Sequence, residues 1–360
     1  MTGWAHLFRP GSRARRAGII NGAFLGQVIT GQQRYAHEIS RRLTLDEQLP
    51  VAEPPDSVRG RALFAWVWCL MLPLRTSARP IISLTSRGPV TVRTSIQVVH
   101  DLFVLTHPEW FSRKYALTHK PLLLAQIRWS KHIVAVSEPV AEELRRRFGR
   151  RGVVVAPNAP AEMFSIARAK SKLQTVLESY GLSDSGYILS VGSLEPRKNI
   201  SRLLSSYSKV RQEGPSVPLV LVGGEFSSFK SLDIARQEGV VKLGYVPDED
   251  LASLYLGARL VVFLSIDEGF GLPAVEALAC GAQILVSDIP VMRWVCGELA
   301  TYVDPLSVES IAASLSIALE STRVTDNMQA ARAQAIRSRF DWNQSAATIA
   351  NLTKGVSSDG

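Results

Sequence analysis

The chain has 360 residues, 46% apolar and 20% charged, which is the balance of a folded globular protein and excludes disordered and collagen-like classes. Its net charge of +9 is uneven: residues 1–180 hold 26 Lys and Arg against 12 Asp and Glu, giving +14, while residues 181–360 hold 15 against 20, giving −5. Three cysteines, none in a CxxC, exclude a disulfide framework, argue against a structural zinc site and point to a reducing compartment.

At about 100–200 residues per domain, this length implies two domains. The first residues carry Arg13, Arg15 and Arg16 but no signal-like apolar stretch with a cleavage site, so a cytoplasmic protein is expected. AGIINGAF (17–24) reads as a strand and GQQRYAHEISRRL (31–43) as a helix. The longest apolar run, LFAWVWCLMLPL (63–74), is too short for a bilayer span of about 20 residues. With Trp66 and Trp68 it reads as a core helix or an interfacial one. Strands are expected at 80–84, 95–100, 132–137 and 152–157, and helices at 114–130 and 138–149. This alternation predicts a parallel sheet wound on both faces. Arg145, Arg146, Arg147, Arg150 and Arg151 form a solvated basic face or one drawn to anionic lipid.

A fresh series begins near residue 180. Strands at 187–192, 218–224, 240–245, 259–265 and 282–287 alternate with helices at 199–212, 230–239, 247–258 and 272–281. The second half is therefore an α/β domain of its own.

Two strings in this half carry chemistry. SIDEGFGLPAVEALAC (265–280) runs from a strand end through a glycine-rich loop into a helix opened by Pro273. Ligands of open α/β sheets bind at the carboxyl ends of strands, where glycines let the backbone approach closely. Glu268 and Glu276 are placed to accept hydroxyls of one polyhydroxylated ligand. SVGSLEPRKN (190–199) also follows a strand and precedes a helix. Its Arg197 and Lys198 at a helix start fit a diphosphate. Asp248-Glu249-Asp250 reads as helix capping at the positive end of the dipole, or as a metal site. In the first half, His100-Asp101 follows the strand at 95–100, at the end where ligands bind.

Together EGFGLPAVE (268–276), GSLEPRKN (192–199), LGYVPDEDLASLY (243–255) and VSEPVAEEL with VVVAPNAP (136–160) resemble the retaining glycosyltransferases of family 4. The resemblance covers about 17–345 and is closest to bacterial polysaccharide mannosyltransferases. It implies the GT-B fold: two Rossmann-like, doubly wound parallel-sheet domains facing a cleft, here 1–175 and 176–339, with a last helix at 340–360 completing the first. It implies sugar transfer from a nucleotide donor, with no metal or other cofactor. GDP-mannose is the expected donor and a UDP-sugar the runner-up. The acceptor class is a glycan or lipid-linked sugar, with peripheral contact to an anionic membrane.

Residue by residue, the resemblance gives Glu268 the hydroxyls of the donor sugar. Gly269, Phe270, Gly271 and Leu272 offer backbone to the same sugar and phosphate. Glu276 takes the ribose, Arg197 and Lys198 the diphosphate, and Val246 the base. Gly31 lies in a loop, GQVITGQQRY (26–35), that matches the family's glycine loop loosely, since Gln32 and Gln33 replace smaller residues. His100 stands near the anomeric carbon, with Asp101 orienting it or touching acceptor. A nucleotide-sugar epimerase or phosphorylase on the same fold is the alternative, since fold alone does not fix function. A nucleic-acid-binding protein is disfavoured, because only the first half is basic and no recognised binding motif is present.

Overall fold

The computed structural model describes residues 18–55, 62–76, 79–90, 92, 94–213, 217–224, 237–322 and 324–358. Arg13, Arg15, Arg16 and most of the expected helix at 230–239 lie outside these residues.

Among the described residues, two six-stranded parallel sheets form. The first holds β1 (Ile19–Asn21), β2 (Val51–Ala52), β3 (Ile81–Ser83), β4 (Ile96–Val99), β5 (His132–Ala135) and β6 (Val154–Val155) in the order β2-β1-β3-β4-β5-β6. The second holds β7 (Ile188–Val191), β8 (Leu219–Val222), β9 (Val240–Gly244), β10 (Leu260–Phe263), β11 (Ile284–Ser287) and β12 (Thr301–Val303) in the order β12-β11-β10-β7-β8-β9. Central strands such as Leu219–Val222 and Leu260–Phe263 are buried at every residue, as expected of parallel strands covered on both faces.

The chain divides into two compact units, one of residues 1–101, 119–157 and 342–360, the other of 102–118 and 158–341. The division falls at 157/158, not at the expected 175/176. The reason is the helix Ile166–Ser179, which packs on Asp248–Gly257 within the second unit: Ser253 Oγ donates to the Ala169 carbonyl at 3.0 Å. A Cβ at Gly257 would stand 3.1 Å from Leu173 and 3.2 Å from Leu177, so glycine lets these helices approach. The last helix, Trp342–Ser358, belongs with the first unit. Ser345 Oγ donates to the Pro157 carbonyl at 2.7 Å, and the Trp342 ring meets that of Tyr35.

The apolar run at 63–74 forms the helix Ala62–Arg75. Trp68, Cys69 and Leu72 are buried in a cluster with Ile19, Ala23 and Ile81, so one face is core. Val67, Leu70, Met71 and Leu74 are exposed, so the other face presents apolar surface. The core reading holds for Trp68, Cys69 and Leu72, and the side chain of Trp66 lies outside the described residues. The two-residue β2 and three-residue β12 were not expected from the sequence.

Candidate active site

In the second sheet β7 lies at the point where the strand order reverses: β8 and β9 run to one side, β10, β11 and β12 to the other. This is the order of a dinucleotide-binding sheet, and its crevice opens at the carboxyl ends of the two strands flanking the reversal, β7 and β10. Both strings singled out in the sequence leave from those ends. Their loops are stitched together, with Ile266 N donating to the Arg197 carbonyl at 2.8 Å. Gly192, at φ 150°, starts the first loop, and a Cβ there would come within 3.2 Å of Lys198 Cε. The turn Pro196–Lys198 ends at Asn199, held left-handed at φ 58° by its side chain, which donates to the Pro305 carbonyl at 2.7 Å.

This backbone brings four charges into one place. Glu268 accepts from Lys198 Nζ at 2.5 Å, from Ser265 Oγ at 2.7 Å, and pairs with Arg197 Nη1. Arg197 also donates to the Asp267 carbonyl at 3.1 Å and to Glu195 at 2.5 Å. Its guanidinium lies 5.2 Å from the centre of the Phe103 ring, a cation–π contact inside the second unit. The side chains of Arg197 and Lys198 are 12% exposed and that of Glu268 9%. Burial alone would push the Glu268 carboxyl up; the Arg197 and Lys198 charges, with hydrogen bonds from Lys198 and Ser265, hold it down to about 2. The carboxylate is therefore ionised throughout the physiological range.

Gly271 caps the helix Leu272–Ala279 at φ 92°, and a Cβ there would meet Met292 Cε at 2.8 Å. Phe270 is buried against Trp294 and Phe340, which fixes the loop Gly269–Leu272 from beneath. Glu276 is buried in the second turn of that helix. Val246 is buried in the loop after β9, beside the exposed Tyr245.

In the first unit, Gly31 opens the helix Gly31–Glu47, and a Cβ there would meet nothing within 4 Å. The two glutamines that follow hold loops: Gln32 Oε1 accepts from the Ser86 hydroxyl at 3.1 Å, and Gln33 Nε2 donates to Gln27 at 3.0 Å. His100 immediately follows β4 and is 7% exposed. Its Nε2 lies 2.8 Å from the Leu84 carbonyl and its ring stands edge-on to Tyr35, so this carbonyl and this ring orient the imidazole. With Nε2 donating, Nδ1 is the acceptor. Asp101 follows it in the chain, half-buried.

Burial pushes His100 down to about 4, against an ordinary 6.5. As pH falls below 6.5 the unfolded chain takes the proton first, so the folded state loses stability between 6.5 and about 4. His100→Gln is expected to flatten that slope by up to about 1.4 kcal/mol per pH unit, read by urea unfolding across the window. Equal slopes in both proteins would contradict this placement of the imidazole.

The other charged runs are engaged locally. Glu249 pairs with Lys172, and Asp250 accepts from the Tyr180 hydroxyl at 3.1 Å, with all three acids of 248–250 in the first turn of their helix. Arg145 pairs with Glu138 and Arg147 with Glu143, while Arg150 donates to the Ser130 carbonyl at 2.6 Å. Sequence reasoning passed over Glu195, Ser265 and Phe103. Glu195 stood within the quoted string, two residues before Arg197; Phe103 carried no signal, since a lone aromatic after a strand looks like core.

A family model described as "Glycosyl transferases group 1" matches residues 176–338, the segment that contains the whole second sheet. The chain is 30% identical over 273 residues to O-antigen chain mannosyltransferase B of Escherichia coli, covering 74% of this chain and 71% of that one. Among solved structures it is similar to WaaG, a glycosyltransferase involved in lipopolysaccharide biosynthesis, with TM-score 0.68 and 14% identity over 94% of this chain and 100% of that one. It is also similar to HepE of Anabaena in complex with UDP, with TM-score 0.66 and 18% identity over 94% and 100%. These likenesses set the epimerase reading aside: the chain belongs to the group 1 glycosyl transferases, has the GT-B fold, and is a glycosyltransferase.

Proposed function

We propose that the enzyme transfers mannose from GDP-mannose, with retention of configuration, to a lipid-linked or polysaccharide acceptor, without a bound metal ion. The observation that carries the donor site is the cluster of Arg197, Lys198 and Glu268 on two loops at the strand-order reversal. Two cations of low exposure beside a fixed carboxylate match a sugar diphosphate: phosphates take the cations and the carboxylate accepts sugar hydroxyls. Glu276 takes the ribose, Val246 lies by the base, and the backbone of Gly269, Phe270, Gly271 and Leu272 faces sugar and phosphate. Gly31 has no steric reason within the chain to lack a side chain, which leaves its backbone open to a ligand. His100 and Asp101 serve the acceptor side. Mannose rests on the similarity to the E. coli enzyme.

The test is release of nucleoside diphosphate from a panel of nucleotide sugars, with and without a lipid acceptor. GDP-mannose is expected to be the best substrate, and activity is expected to survive EDTA, since Arg197 and Lys198 supply the positive charge. Preference for a UDP-sugar would reassign the donor. Loss with EDTA and recovery with manganese would bring Asp248 and Asp250 back as ligands.

The acceptor reading extends to an anionic membrane surface. No helix among the described residues is long and apolar enough to cross a membrane. The helix Arg113–Trp129 exposes Leu117, Leu124 and Trp129 among exposed Lys114, Lys120 and Arg128, and no acidic residue occurs from 110 to 137. An apolar face studded with cations suits a headgroup layer. At roughly 1 kcal/mol per basic residue, Lys120→Ser with Arg128→Ser is expected to weaken binding to phosphatidylserine vesicles about thirtyfold at low salt. Unchanged co-flotation would exclude this face.

A further inference from the structure

Glu195 has no role in the site as assigned above, yet its environment is unusual. It is 1% exposed, one oxygen accepts from Arg197 Nη2 at 2.5 Å, and the other oxygen is buried with no hydrogen-bond partner among the described residues. A buried carboxylate with an oxygen left over is costly, and such groups in a native protein call for an explanation. Replacing it by an apolar residue would remove that cost, so packing alone does not account for it.

The charge pattern supplies the explanation. The two ends of the Arg197 guanidinium are held by two carboxylates, Nη2 by Glu195 and Nη1 by Glu268. Lys198 is held by Glu268 as well. Two cations and two carboxylates leave the empty cluster neutral. A donor diphosphate must draw Arg197 or Lys198 toward itself, and the nucleoside diphosphate must leave again after transfer. Glu268 is needed for the sugar and is exchanged between partners. Glu195 is buried behind Arg197 and is not.

We propose that Glu195 is a positioning residue for sugar transfer: as the fixed counter-ion of Arg197 it aims the guanidinium and keeps the site from retaining the nucleoside diphosphate. This rests on the donor reading above. It predicts opposite changes in affinity and rate, because removing one negative charge near a diphosphate strengthens anion binding while the freed guanidinium loses its aim.

The experiment is GDP binding by calorimetry together with steady-state kinetics on Glu195→Gln and Glu195→Asp. Glu195→Gln is expected to bind GDP about tenfold more tightly and to lower kcat about tenfold or more. Glu195→Asp keeps the charge and is expected to bind GDP within about twofold of the wild type. A merely structural role would weaken binding and rate together, so weaker or unchanged GDP affinity in Glu195→Gln overturns the proposal, as does an Asp variant that behaves like the Gln one. Should Glu195→Gln fail to fold, the test moves to the Arg197→Gln background, where no guanidinium remains to be aimed. There Glu195→Gln is expected to change kcat by less than about twofold, and a further tenfold loss overturns the proposal. Failure of the donor reading shows separately, as a wild-type protein that binds neither GDP nor UDP.

Discussion

Glu268→Gln is expected to lower turnover by about 10²–10³ while changing the donor Michaelis constant little. The carboxylate is ionised, little exposed and held by the Ser265 hydroxyl, so it is already charged and in place when charge develops on the sugar. As the leaving group departs, the ring gains positive charge, and a nearby carboxylate helps more in the transition state than in the ground state. Gln keeps the shape and loses the charge. Glu276→Gln is the contrast. On the donor reading proposed above, Glu276 takes the ribose, remote from the reacting carbon, and contributes equally in both states. Its loss is expected to raise the donor Michaelis constant about tenfold with turnover near normal. Steady-state kinetics of both variants at saturating acceptor decide the matter. The reverse pattern would exchange the two roles, and no change in either would remove this loop from the donor site.

Arg197→Ala is expected to cost the folded protein about 3–5 kcal/mol at neutral pH, beyond its loss of donor binding. A surface cation would cost far less. Here the guanidinium is the partner of two buried carboxylates, Glu195 and Glu268, and it also joins the loop after β10 to the Phe103 ring. Its removal leaves buried charge unpaired. The pH dependence follows from Glu268, which titrates at about 2 in the folded protein against an ordinary 4.5. Its stabilising contribution is complete above 4.5 and is lost as pH falls toward about 2. The deficit of Arg197→Ala is therefore expected to shrink across that window: below 4.5 the unfolded chain takes a proton that the wild-type carboxylate, still ionised at pH 3, refuses, whereas the unpaired carboxylate of the variant takes it in both states. Urea unfolding at pH 7 and pH 3 measures both deficits. A deficit below about 1 kcal/mol at pH 7 would show that Arg197 is not a structural part of the cluster.

The two α/β halves, most of their strands and the two strand-to-helix loops were legible in adjacent residues alone. β-branched runs such as Ile188–Val191 and Leu260–Phe263 bury both faces whatever their neighbours, and Gly192, Gly271 and Pro273 mark strand-to-helix turns through their own backbone preferences. Those are local signals, carried by a handful of adjacent residues. Which loops meet is settled by packing between segments far apart in the chain. Lys198 and Glu268 lie 70 residues apart in the chain and 2.5 Å apart in space because β10 pairs with β7, across from β8. Strand order depends on how each crossover packs, and no single string of residues encodes it. The same holds for the division at 157/158, set by Gly257 letting two helices close, and for the helix Ala62–Arg75, whose run looks uniformly apolar until the core selects Trp68, Cys69 and Leu72 as its inner face. Glu195 shows the limit most sharply: in the string GSLEPRKN it is one more acid among charged neighbours, and only burial, which leaves its second oxygen with no hydrogen-bond partner among the described residues, separates it from them.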